Sequence, residues 1–278
     1  MTDPGPRAEI GVFGGSGFYQ IADDVQELWV ETPYGPPSDK ISILTIGGRK
    51  VAFLPRHGRD HRYPPHRVPY RANLWAMKSL GVSRIVGPCA AGSLQPDIPP
   101  GTFVLCDQFV NRTWGRQDTY FEGPVVTHIG AADPYCPEMR QVAAGVLARL
   151  GIPHRTGGTV VVVQGPRFST RAESREFREH GWHVINMTQY PEVILARELG
   201  MCYLNVSLVT DYDVGLEGHP EVHPVSHQEV LRVFNANLEH LRTFLWELVP
   251  AIPQERRCSC RRAVQEARGE PELPGGRQ

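Results

Sequence analysis

The chain has 278 residues, 41% of them hydrophobic and 21% charged, enough to bury one full globular core. A formal net charge of −1 excludes the long-range positive field that nucleic acid or an acidic membrane surface would require. No apolar run is long enough to span a bilayer, and Met1 to Pro6 carry no charged-then-apolar leader, so a cytoplasmic protein is expected. Of its six cysteines, four stand alone in apolar or loop surroundings, where reduced, buried thiols are expected; none belongs to a set with zinc-finger spacing.

In chain order, the first strand-like run is Ile10 to Phe13. A hairpin follows, with Ile41 to Ile46 and Val51 to Leu54 joined through Gly47-Gly48. Arg71 to Leu80 reads as a helix stopped by Gly81, and Ile85-Val86 and Thr102 to Leu105 as strands. From Met139, apolar residues at 142, 143, 146, 147 and 150 share one helical face, with Pro137 in the first turn and Gly151 as the stop. Strands are predicted at Thr159 to Val163, His183 to Ile185 and Cys202 to Val209, with a helix over Pro191 to Leu199 closed by Gly200. One long helix is predicted over Ser226 to Leu248, with a Ser226/Glu229 capping box and a buried stripe of Val230, Val233, Phe234, Leu238, Leu241, Leu245 and Leu248. Beyond Pro253 the chain turns charged and Gly/Pro-rich, and disorder is expected over about its last ten residues. Strands alternating with helices give an α/β class, and no linker interrupts them. One domain over 8–250, followed by a tail over 251–278, is the organisation expected.

Function is written where the apolar runs end. The first leads into Gly14-Gly15-Ser16-Gly17, and the second hairpin strand into Arg56-His57-Gly58-Arg59. Ile85-Val86 leads to Cys89-Ala90-Ala91-Gly92-Ser93, and Val160 to Val163 to Gln164-Gly165-Pro166-Arg167-Phe168-Ser169. The last two lead to Asn186-Met187-Thr188 and Thr210-Asp211-Tyr212-Asp213. Ligands of open α/β sheets sit outside the carboxyl ends of strands. Six ends carrying hydroxyls, amides, an Arg-His pair and two carboxylates point to an enzyme or small-molecule binder. Each segment also has a plainer reading as a tight turn, a solvated charge cluster or a core aromatic. Gly14 to Gly17 matches neither the P-loop, which needs a lysine, nor the dinucleotide fingerprint.

Taken together these segments, with Thr32-Pro33-Tyr34-Gly35, Tyr70 to Ala76 and Gly165 to Ser174, resemble the 5'-methylthioadenosine phosphorylases of the trimeric purine nucleoside phosphorylase superfamily. The likeness runs in order from about residue 9 to 250. It implies a central mixed sheet, partly barrel-like, flanked by helices. It also implies a pentosyltransferase of purine salvage that converts S-methyl-5'-thioadenosine and phosphate to adenine and 5-methylthioribose 1-phosphate. Phosphate is the co-substrate and no metal or other cofactor is implied; nucleic acid and membrane are not partners. A homotrimer or dimer of trimers is implied in turn.

By the same resemblance Ser16, Arg56, His57, Ala90 through its N–H, Thr188 and, as a poor donor, Cys89 surround phosphate. Met187 lies against the sugar, Phe168 on the purine face with Ser169 beside it, and Asp213 at the 6-amino edge. Asp211 is the expected proton partner of purine N7, and burial would raise its pKa. His128 of a neighbouring subunit and Val230 border the 5' substituent, near a long loop over 214–224 and His227. Purine nucleoside or methylthioinosine phosphorylase, a hydrolase and a non-catalytic nucleoside sensor are the alternatives. Cys258-Ser259-Cys260 resembles a pair that can form a disulfide in some relatives; two free thiols are expected here, and zinc binding is not, with no other ligands nearby.

Overall fold

The computed structural model describes residues 7–14, 25–214, 216 and 226–268. In chain order they form β1 (Ile10–Gly14), β2 (Gln26–Leu28), β3 (Ile41–Ile46), β4 (Arg49–Pro55), α1 (Tyr70–Ser79), β5 (Arg84–Ser93), β6 (Phe103–Leu105) and β7 (Gln108–Arg112). There follow α2 (Pro137–Arg149), β8 (His154–Thr156), β9 (Thr159–Val163), α3 (Arg171–Glu179), β10 (Val184–Asn186), α4 (Gln189–Glu198) and β11 (Cys202–Asp211). Helices α5 (His227–Ala236), α6 (Leu238–Ala251) and α7 (Ala263–Arg268) complete the set.

One mixed sheet holds all eleven strands, in the order β2-β3-β4-β1-β5-β10-β9-β7, with β11, β6 and β8 branching from β5. The centre is β5, which pairs in parallel with β1 and β11 and, at its end, antiparallel with β10. Because β5 is ten residues long, different stretches of it serve different neighbours. Among the described residues the pairings form an open, branched sheet, where a partly barrel-like one was expected. No ladder joins β7 or β8 back to the β2 edge.

Both faces of the sheet are covered, which explains the near-continuous apolar runs of β1, β4, β5 and β11. Leu74, Met77, Val193 and Leu195 of α1 and α4 pack on one face with Phe13, Leu54 and Ile85. Met139, Val146 and Leu147 of α2 pack on the other with Leu241, Phe244, Leu245 and Leu248 of α6. The β3–β4 turn is built on Gly47 and Gly48 at φ 54° and 78°, the left-handed pair that a two-residue hairpin needs.

The predicted long C-terminal helix is two helices, parted at Asn237, whose φ of −103° and ψ of 3° leave the helical region. Its expected stripe divides accordingly. Leu241, Leu245 and Leu248 enter the core, while Val230 and Phe234 are only half-buried. Glu229, the capping-box partner of Ser226, and most of the 214–224 loop lie outside the described side chains.

Helix α3 carries only Ser174 and Phe177 as buried residues, so apolar periodicity does not reveal it. Its signal is the capping box: Thr170 accepts from the Glu173 N–H while Glu173 accepts from the Thr170 N–H.

Cys136 and Cys202 do not stand alone. They are buried beside Cys258 and Cys260, so further sulfur ligands do lie near the pair. The tail is packed as far as Arg268, and residues 269–278 lie outside the described part.

Candidate active site

The carboxyl ends of β1, β4, β5, β9, β10 and β11 border one cavity of about 460 Å³, capped by α5. Arg56, His57, Cys89, Ala90, Phe168, Ser169, Met187, Thr188, Asp211, Asp213 and Val230 all line it. Eleven of the thirteen proposed residues thus converge from segments spread between Arg56 and Val230. Ser16 lies outside the described residues. His128 is exposed and does not reach this cavity within its own chain.

Arg56 directly follows β4, with its guanidinium buried. Nε and Nη2 donate to the two carboxylate oxygens of Glu192 at 2.7 and 2.8 Å, and Nη1 donates to the Pro88 carbonyl at 2.9 Å. Burial opposes the guanidinium's charge, but Glu192 outweighs it and holds the pKa above the usual range. An arginine has five N–H groups, and these contacts use three, which leaves two for an anion. Glu192 also accepts from the Tyr203 hydroxyl at 2.5 Å.

Glu192 was not foreseen, although the sequence carried a hint. It is a lone carboxylate in the apolar run Val193-Ile194-Leu195-Ala196, and a buried charge of that kind needs a partner.

His57 is neutral. Its Nδ1 lies 2.8 Å from the Tyr63 carbonyl, which can only accept, so Nδ1 carries the hydrogen and Nε2 is the acceptor. Burial pushes its pKa down to about 4; the bond to Tyr63 opposes this, and the nearby Arg56 and His61 charges add to it. The two imidazole rings stack at 4.5 Å.

The segment that leads into α4 supplies the neighbouring wall of this end. Thr188, buried, stands in the turn before α4, whose regular helical part begins at Pro191, after the extended Tyr190 (φ −108°, ψ 133°). Asn186 shapes this turn, its Oδ1 accepting from the N–H of Thr188 and of Gln189 at 3.4 Å. The Nδ2 of Asn186 is 3.2 Å from the Cys89 sulfur, which also sits 3.5 Å from the Ser207 hydroxyl. The thiol is therefore engaged with its own strand neighbours as well as lining the cavity.

At the opposite end are the carboxylates. Asp211 closes β11, accepting from the Thr210 hydroxyl at 2.7 Å and from the Asp213 N–H at 2.8 Å. Asp213 adopts φ 49°, a left-handed conformation that aspartate tolerates and that keeps its carboxyl over the cavity. Burial pushes the Asp213 pKa up to about 6, and the charge of Asp211 adds to the rise, while the hydroxyls of Ser174 and Ser169 oppose it. Asp213, expected only at the 6-amino edge, is thus itself a raised carboxyl. Among the described residues no bond of good geometry reaches Asp213 Oδ2, Ser169 Oγ or Ser174 Oγ, three buried polar atoms at one corner.

Gly92 makes the approach of this pair possible. A Cβ there would stand 2.9 Å from Asp211 Oδ1 and 3.4 Å from Asp213 Cβ.

Between the ends the walls are apolar: Val163, Phe168, Ile185, Met187, Val230 and Phe234. Phe168 is 37% exposed, unusual for a ring of its size unless one face is meant for a ligand. Arg116, also not foreseen, ties two of the loops together by donating to Gln164 O at 2.9 Å and Met187 O at 3.0 Å.

Known proteins resemble this chain in sequence and fold. The family model of the phosphorylase superfamily matches residues 9–250. A purine nucleoside phosphorylase of Streptomyces coelicolor is 52% identical over 93% of this chain and 95% of its own length. An S-methyl-5'-thioadenosine phosphorylase of Thermofilum pendens is 49% identical over 94% of this chain and 98% of its own. The structure of methylthioadenosine phosphorylase from Schistosoma mansoni in complex with adenine superimposes with a TM-score of 0.87 at 34% identity, covering 96% of this chain and 99% of that one. Sequence, fold and cavity agree that this chain belongs to the phosphorylase superfamily, among the 5'-methylthioadenosine phosphorylases.

Proposed function

We propose that the enzyme catalyses phosphorolysis of S-methyl-5'-thioadenosine to adenine and 5-methylthioribose 1-phosphate. The observation that carries this reading is a single cavity with an anion-binding end, an apolar middle and a two-carboxylate end. Phosphate takes the two remaining N–H groups of Arg56, the Ala90 N–H and Thr188, with Ser16 as a further donor. Neutral His57 offers an acceptor to the proton of a hydrogen phosphate. The sugar lies against Met187 and the purine against Phe168. As the glycosidic bond lengthens, the anomeric carbon gains positive character, and the phosphate oxygen that stabilises it forms the new bond.

The leaving base is treated by the carboxyl pair. Adenine presents an acceptor at N7 and a donor at its 6-amino group. A pair holding one proton matches both, with Asp211 giving its O–H to N7 and Asp213 accepting from the amino group. A 6-oxopurine presents two acceptors and would require two protons on the pair, which argues against the purine nucleoside and methylthioinosine alternatives. Phosphate is the co-substrate and no further cofactor is invoked. Val230 and Phe234 border the 5' end. His128, beside the exposed Val125 and Val126, supports an interface through which a second copy completes that end, as in a trimer or a dimer of trimers. A cytoplasmic setting is consistent with there being no helix, among the described residues, long and apolar enough to cross a membrane.

The test is incubation with methylthioadenosine, adenosine, inosine and methylthioinosine, with and without phosphate. Adenine release from methylthioadenosine that depends on phosphate is expected. Release without phosphate would make the enzyme a hydrolase and overturn the reading. Light scattering in solution gives the oligomeric state, and a monomer would remove the shared 5' pocket.

A further inference from the structure

Far from the cavity, four cysteines meet. Cys136 precedes α2, its N–H bonded to the Tyr203 carbonyl at 2.9 Å; Cys202 opens β11; Cys258 and Cys260 come from the segment that follows α6. All four are buried, and their sulfurs lie within 4.8 Å of one another, with Cys202 and Cys258 at 3.3 Å. Three chain segments separated by more than fifty residues converge here on nothing but sulfur.

We propose that this cluster is a tetrahedral thiolate site for a soft divalent cation, zinc above all, that pins the C-terminal segment to the sheet. Four sulfurs at about 2.3 Å from a central zinc stand about 3.8 Å apart, within the span observed. Binding forms four metal–sulfur bonds and releases the four thiol protons to solvent. Four thiolates around a dication carry a net charge of −2, and the surroundings are basic. Arg84 donates to the carbonyls of Pro253 and Gln254 at 2.6 and 2.9 Å, and Arg256 donates to the Gly200 carbonyl at 2.8 Å, beside Cys202. These same bonds bring the segment to within reach of the sheet, so the site is assembled by the fold and not by a compact sequence motif.

Its place in the fold gives it a structural role. Cys202 begins the strand whose far end is Asp211, about 30 Å away at ordinary strand rise. Metal loss should therefore loosen the C-terminal segment and leave the chemistry of the cavity intact.

The full chain, expressed in zinc-supplemented medium and purified with a phosphine reductant and no chelator, is assayed for metal by plasma mass spectrometry. About one zinc per chain is expected. Replacement by cobalt(II) should give the intense thiolate charge-transfer and tetrahedral visible bands of a four-sulfur site. The Cys258→Ser/Cys260→Ser double variant should lose the metal and the cobalt bands, while Cys106→Ala should keep both. A thiol-specific reagent in denaturant with chelator should find all six cysteines free. Fewer free thiols would mean disulfides in place of a metal and overturn the proposal. Six thiols with no bound zinc and no cobalt spectrum would overturn it equally, and both readouts come from the unaltered chain even if the variant fails to fold.

Discussion

Arg56 and Glu192 lie 136 residues apart in sequence and meet in a buried two-point contact of 2.7 and 2.8 Å. The contact means that the phosphate end is not a bare cation. It is a neutral ion pair with a guanidinium held in one orientation, so under the proposed function phosphate binding would rest on directed N–H groups more than on net charge.

Removing the carboxylate tests this directly. Glu192→Ala should cost about 3–5 kcal/mol of stability, because it leaves a buried guanidinium unpaired. The KM for phosphate should rise more than that for the nucleoside. Denaturant unfolding and steady-state kinetics check the two effects, and a stable variant with unchanged phosphate KM would refute the positioning role.

Asp211→Ala should lower turnover far more than it weakens phosphate binding, since only the leaving base meets that carboxyl. A loss of about 10²–10⁴-fold in kcat is the range for a proton donor. Single-turnover measurements at saturating phosphate give the answer, and unaltered turnover would remove Asp211 from the mechanism.

The pH dependence follows from Asp213. Its pKa stands at about 6 against an ordinary 3.8, so the pair keeps its proton under mildly acidic conditions and loses it as pH rises. The kcat/KM for methylthioadenosine should fall on the alkaline side, with the free enzyme's titration near 6. The same shift sets a stability trend. A carboxyl raised on folding stabilises the fold below its unfolded value of 3.8, and that contribution is lost as pH rises through about 6. Asp213→Asn should therefore stabilise the ligand-free protein at pH 8, by up to about 3 kcal/mol. It should also improve activity on inosine relative to adenosine, because an amide can donate to O6. Thermal melts and paired substrate assays measure both.

Phe168→Ala should raise the nucleoside KM by about 3- to 10-fold, the worth of one stacked ring, with little change in phosphate KM. Isothermal titration with adenine isolates the effect. Equal losses for both ligands would mean that the ring shapes the loop instead of the base site.

The sequence by itself determined the strand-end segments, the α/β alternation, the Gly47-Gly48 hairpin and the residue types that a phosphate and an adenine require. These are local features: turn chemistry, apolar periodicity and hydrogen-bonding capacity are legible wherever they stand. Only the tertiary structure decided which groups meet. Glu192 behind Arg56, Arg116 across the Gln164 and Met187 loops, the raised carboxyl of Asp213, and the gathering of Cys136 and Cys202 with Cys258 and Cys260 all join distant or differently buried positions. Such meetings depend on strand order and register, here on a branched sheet whose centre, β5, serves three neighbours at once. Burial and pairing then set the charge state, because a carboxyl or thiol takes its protonation from the groups that surround it in space.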